Sequence, residues 1–157
     1  MTMVLIGCIT VLLAVVAFVV IGYFQATQPI EQAKKEAISL AESYGKVEKV
    51  EHFYRYAREQ TFYAVFGQTK QKQAVIVLIP QSGKDIQVMS QSDGLSEKAA
   101  RAVVAKEAPN ETIKRISFGL TGDQKVWEVT TKTTHGDWQY YLVDFKDGKI
   151  VKTIKNM

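Results

Sequence analysis

The chain has 157 residues, 46% of them apolar, 10% aromatic and 23% charged, with a net charge of +4 and an isoelectric point near 9.1. Residues 3–24 carry no charge, and all 20 basic and 16 acidic side chains lie from Glu31 onward. Residues 31–157 therefore suffice for one water-soluble domain or two very small ones, which argues against an enzyme with a separate cofactor domain, while aromatics spread through the polar part argue against a long disordered chain.

The uncharged stretch comes first. At 1.5 Å per helical residue it reaches roughly 33 Å, enough to cross a hydrocarbon core of about 30 Å. Tyr23 and Phe24 close it with aromatics suited to the interface. No small-x-small site follows at 25–29, which argues against a cleaved signal peptide. The apolar core follows Cys8 instead of preceding it, which argues against a lipoprotein signal. Residues 3–24 are therefore read as an uncleaved transmembrane span. The flanking charges Glu31, Lys34, Lys35 and Glu36 nearly cancel, so composition leaves its orientation open. Cys8 is the only cysteine, and residues 31–157 have no disulfide, thiol nucleophile or thiolate metal site.

Pro29 is expected to interrupt the helix leaving the membrane and to open a second one, so residues 1–29 form an anchor and short linker. Ile30, Ala33, Ala37, Ile38, Ala41 and Tyr44 recur at three- and four-residue spacing, which predicts an amphipathic helix ending at Gly45. Strands are predicted at 47–56, 62–67, 74–79 and 86–89. Phe62, Ala64 and Phe66 share a face, whereas 74–79 is apolar on both faces and belongs inside a sheet. A turn at Pro80-Gln-Ser-Gly83 ends it. Asp93-Gly94-Leu95-Ser96 opens the next unit. Ser96 caps a helix to about Ala108, with Ala99, Ala100, Val103 and Val104 on its apolar stripe. Further strands are predicted at 113–120, 125–133, 138–145 and 150–154, with turns at His135-Gly136-Asp137 and Asp147-Gly148.

The polar part thus reads twice as a helix followed by strands, in units 30–91 and 92–157. At an offset of 65, Ala37 meets Ala102, Glu42 meets Glu107, Phe53 meets Phe118, and Gly83-Lys84 meets Gly148-Lys149. The order of elements and the shared turn carry the case for a duplication. The fold class is α+β: an N-terminal transmembrane helix followed by two similar units, each a helix packed on an antiparallel sheet.

His52 lies in a strand and His135 in a turn, and His135 with Asp137 supplies at most two ligands where a metal needs three or four. No carboxylate pair stands in a diagnostic motif, and nucleophile elbows, phosphate-binding glycine loops and H-E-x-x-H helices are missing. The chain is expected to be no enzyme, with no cofactor and no metal. No nucleic-acid-binding pattern appears, so nucleic acid is not an expected partner. Trp138 and Tyr140 share a face with Leu142 and read as core, as do most of the other aromatics. Tyr63 and Tyr141 remain as exposed candidates for partner binding, together with Lys149. Lys114, Arg115, Lys132, Lys149, Lys152 and Lys155 are scattered, a solvated basic surface that would draw anionic headgroups and wall polymers.

Leu95-Ser-Glu-Lys-Ala-Ala100, Val126-Trp-Glu-Val129 and Tyr140-Tyr-Leu-Val-Asp-Phe-Lys-Asp-Gly-Lys-Ile-Val151 together resemble the PepSY domain pattern. That pattern is a capped helix, a W/Y-E-V strand and a Y-x-V-D-x-x-x-G-K-I/V hairpin, and the match spans 95–151. A single span followed by a degenerate copy and then this one is similar to the TseB (YpmB-like) family of Gram-positive bacteria over nearly the whole chain. The uncharged N-terminal flank departs from that family. The resemblance implies two PepSY- or cystatin-like units, a cytoplasmic N-terminus and an extracytoplasmic domain at the cell membrane. It also implies regulation of cell-wall elongation through a penicillin-binding protein or another wall-synthesis protein. The alternative is a PepSY-type ligand-binding or peptidase-inhibitory module at the cell surface. Within the motif, Ser96, Trp127, Asp144 and Gly148 are read as structural: Gly148 lets the turn take positive φ and Asp144 accepts hydrogen bonds from nearby donors.

Overall fold

The computed structural model describes the backbone of residues 2–155 and the side chains of residues 12–18 and 30–155. It opens on a single helix, α1 (Thr2–Gly45). Pro29 does not interrupt this helix, and residues 25–29, expected as a linker, lie within it. A proline removes one N–H from the ladder, and in a helix of 44 residues propagation on both sides carries the chain past that loss. Among the described residues no helix is long and apolar enough to cross a membrane. Most side chains of the run 3–24 lie outside the described residues. The chain divides into two compact units, residues 1–36 and residues 37–157, and all the strands belong to the latter.

Residues 37–157 contain two antiparallel sheets of four strands. The first runs β1 (Val47–Ala57), β2 (Thr61–Thr69), β3 (Ala74–Pro80), β4 (Gln87–Ser90), in that spatial order. Helix α2 (Glu97–Glu107) follows a short 3₁₀ turn at Gln91–Asp93. The second sheet runs β5 (Thr112–Thr121), β6 (Gln124–Lys132), β7 (Trp138–Asp144), β8 (Ile150–Lys155), again in sequence order. Both are simple meanders, as tight turns between alternating segments require. The doubly apolar segment is the inner strand β3, with Ile76 and Leu78 buried on one face and Val77 and Ile79 on the other.

The two faces of the first sheet meet different partners. Val65, Val77 and Ile79 pack with Ala37 and Ala41 of α1, whose small side chains let the helix lie close. Phe62, Ala64, Phe66, Ile76 and Leu78 join Phe118, Trp127, Val129 and Val143 of the second sheet and Ala100 and Val104 of α2 in one core. Trp127 is fully buried at its centre. The rings of Tyr54, Phe66 and Phe118 surround it, with centroids 5.4, 5.3 and 4.9 Å away. Its Nε1 donates to the Leu95 carbonyl at 2.8 Å, so the polar edge of the ring holds the segment leading into α2.

Strand β1 also reaches β5. Arg115 Nη2 donates to the Arg55 carbonyl at 3.0 Å, and the Tyr56 hydroxyl shares a 2.5 Å hydrogen bond with Thr121 Oγ1. The Tyr56 ring lies against the bare backbone of Gly119, where a Cβ would stand 2.3 Å from it. Gly119→Ala must displace this fully buried ring, and unfolding in urea is expected to show a loss of about 1–3 kcal/mol. An unchanged midpoint would mean that the ring can move away without cost.

Candidate interaction surface

The motif residues from Ser96 onward hold the start of α2 and the turn of the β7–β8 hairpin. Ser96 caps α2, its Oγ accepting from the Ala99 amide at 3.2 Å. Asp144 Oδ1 accepts from the amides of Lys146 (2.7 Å) and Asp147 (2.9 Å), and its Oδ2 accepts from Gln124 Nε2 at 2.7 Å. The carboxylate thus ties the β7–β8 turn to β6. Gly148 takes φ +74 in that turn, the left-handed region that favours glycine. The Lys149 side chain is exposed and pairs with Asp147 at 2.8 Å. This hydrogen bond raises the Lys149 pKa and, with the Lys149 amide, lowers that of Asp147. Among the described residues no three His, Cys, Asp or Glu side chains group to hold a metal. His52 stacks on Tyr54 at 6.0 Å, and His135 is exposed in its turn.

Strand β7 overturns one expectation. Cross-strand register sets Val143 opposite Trp127 and Tyr141 opposite Val129, so these four share a face. That face is on the α2 side: Trp127 reaches the Leu95 carbonyl, and the Tyr141 hydroxyl donates to Glu111 at 3.1 Å, both just beyond the helix ends. Tyr141 is only 5% exposed, and burial together with the Glu111 bond pushes its pKa up to about 12. It is a core residue and not a surface contact. Trp138, expected in the core, is 41% exposed, and Tyr140 is half-buried. Alternation correctly grouped Trp138, Tyr140 and Leu142, but it carries no sign saying which face a helix will cover. Tyr63 is half-buried on the α1 side of the first sheet, stacked on Phe53 at 6.0 Å.

The outer face of the second sheet therefore presents the aromatics. Arg58, from the β1–β2 turn, crosses it: its Nε donates to Glu128 Oε2 at 2.5 Å and its guanidinium stands 4.4 Å from the Tyr140 ring centroid. Lys132 Nζ stands 5.5 Å from the Trp138 ring centroid. Ser117, opposite Glu128 in the register, is buried and its Oγ has no hydrogen-bond partner among the described residues. Beside Arg58 runs a groove of about 390 Å³ with Tyr56, Leu142 and Ile154 as apolar lining and Glu59 and Lys152 at its charged margin. Arg58→Ala would leave Glu128 buried without its cation, and a loss of about 3–5 kcal/mol in denaturant unfolding is expected. Adding Glu128→Gln should recover part of it. No recovery would mean that Arg58 acts through packing on Tyr140 alone.

A second cleft, of about 380 Å³, lies between β1 and the start of α2. There the Tyr54 hydroxyl donates to Glu97 Oε2, and Arg101 Nε donates to Glu97 Oε1 at 2.7 Å. Burial works to raise the Glu97 pKa, but the Tyr54 and Arg101 hydrogen bonds outweigh it and hold it below 4.5. Burial, then Glu97, raises Tyr54. A lowered carboxyl pKa adds stability that is present above its ordinary value of 4.5 and is lost as pH falls through the folded one. A raised tyrosine pKa adds stability that is full below 10 and is lost as pH rises through the folded value, about 12 for Tyr141. The unfolding midpoint should fall at both extremes. Glu97→Gln should flatten the acid side and Tyr141→Phe the side between 10 and 12, whereas unaltered profiles would count against both assignments.

Residues 36–80, which take in the end of α1 and β1–β3, match the family described as cell wall elongation regulator TseB-like domain. Residues 94–154, with α2 and the second sheet, match the PepSY family, described as peptidase propeptide and YPEB domain. The chain is 26% identical over 134 residues to the probable cell wall elongation regulator TseB of Bacillus subtilis (strain 168), a match covering 84% of this chain and 83% of that one. It is also similar to the solved structure of the YpmB protein from Bacillus subtilis, at 26% identity and a TM-score of 0.67, covering 78% of this chain and 96% of that one. Residues 36–80 are thus a TseB-like domain and residues 94–154 a PepSY domain.

Proposed function

We propose that this chain is a membrane-anchored, extracytoplasmic regulator of cell-wall elongation that works by contact and not by catalysis. The contact is with a penicillin-binding protein or another wall-synthesis protein. The observation that carries this reading is the 26% identity, over 84% of the chain, to a probable cell wall elongation regulator. The apolar run at 3–24 supports the anchor, being long enough for a span. Two partners tethered to one membrane meet at high effective concentration, so a small surface such as the outer face of the second sheet suffices.

The first test is protease treatment of intact Bacillus protoplasts that carry the protein with a tag after Met157. Digestion of the tag is the expected result, and protection would place the domain on the cytoplasmic side and remove the reading. The second is crosslinking in membranes followed by purification, which should recover a penicillin-binding protein. A second reading follows from the PepSY match, whose description includes peptidase propeptides: an inhibitory or ligand-binding module at the surface. It requires the purified chain to slow a cell-surface peptidase, which the contact reading does not.

A further inference from the structure

We infer that β8, with the outer face beside it, receives an extended acidic segment of a partner protein as an added strand. This deepens the contact reading above and rests on it. Strand β8 is an edge of its sheet, while the opposite edge, β5, lies along β1 through the Arg115–Arg55 hydrogen bond. The outer edge of the first sheet, β4, is only four residues long and is followed at once by the capped 3₁₀ turn. β8 is thus the longer open edge, its backbone groups on the outer side ready to pair with a new strand.

The side chains say what that strand should carry. The register sets Lys152 opposite Leu142 and Ile154 opposite Tyr140, so both look onto the groove beside Arg58. Lys132 stands over Trp138 on the same face. Of the nearby carboxylates, Glu128 is buried and paired with Arg58, Glu59 borders the groove and Asp137 lies beside Trp138, whereas β8 itself carries the exposed Lys152 and Lys155 and no acidic residue. The face is therefore cationic with an apolar floor, and its complement is a strand that alternates acidic and apolar residues. A second copy of the chain does not fit, because pairing β8 with itself would crowd lysines together. An anionic wall polymer would meet the charge but has no peptide groups for the β8 edge.

The test uses the full chain in nanodiscs and two ten-residue probes, one alternating glutamate with valine and one alternating lysine with valine. The acidic peptide should bind, weaken with added salt, and slow amide hydrogen exchange at residues 150–155. Lys132→Glu with Lys152→Glu, both away from the core, should weaken it by about tenfold or more. Equal binding of the two peptides, or unchanged exchange at 150–155, would overturn the inference. So would tighter binding of polyglycerol phosphate with no slowing there, which would mark a polymer surface. If the double variant still crosslinks to the wall-synthesis protein as well as the unsubstituted chain does, the surface is wrong and the contact reading survives. Failure of the unsubstituted chain to crosslink removes the contact reading itself.

Discussion

The Trp127 ring is the constraint on which the rest of residues 37–157 depends. It belongs to the second sheet, yet two of the rings against it, Tyr54 and Phe66, come from the first, and its one polar atom is satisfied by the backbone just before α2. A single side chain therefore sets the distance between the sheets and the place where α2 begins. Aromatic contacts of this kind contribute about 0.5–1.5 kcal/mol each beyond the area they bury. Because they converge on one ring, loosening one sheet loosens the other, and the two sheets fold on a common core and not as separate beads.

The ion pair of Arg58 and Glu128 extends this logic to the outer face. Charge taken out of water is costly, and here the cost is offset by a close hydrogen bond and by the Tyr140 ring beside the guanidinium. The pair locks the β1–β2 turn over the second sheet. It also leaves a groove next to a cation that is already committed, so the exposed Lys152 at its margin is the cation available to an incoming anion.

Most of the element order was legible from local signals: alternating apolar residues, the Ser96 cap, and the glycines in turns. These act over a few residues and survive any tertiary context. Two features were not legible. Continuity of α1 through Pro29 depends on cooperative propagation, which a local rule about proline ignores. The faces of β7 depend on where α2 lands, a contact with residues some thirty to forty positions earlier in the chain. The sequence pattern could pair Trp138 with Tyr140 and oppose both to Tyr141, but inside and outside were exchanged. The groove inherits that limit, since it exists only because the β1–β2 turn of the first sheet crosses the second sheet.

The unequal enclosure of the two sheets has a consequence for how such a protein can change. The first sheet is covered by α1 on one side and by the common core on the other, so nearly every substitution in β2 or β3 alters packing. The second sheet is covered on the α2 side and only partly on the other. Residues such as Trp138, Lys132 and Lys152 can be exchanged with little effect on folding. Two sheets of the same strand order thus carry different freedoms: one is confined to being a scaffold, and the other can drift toward a new partner while the fold stays intact.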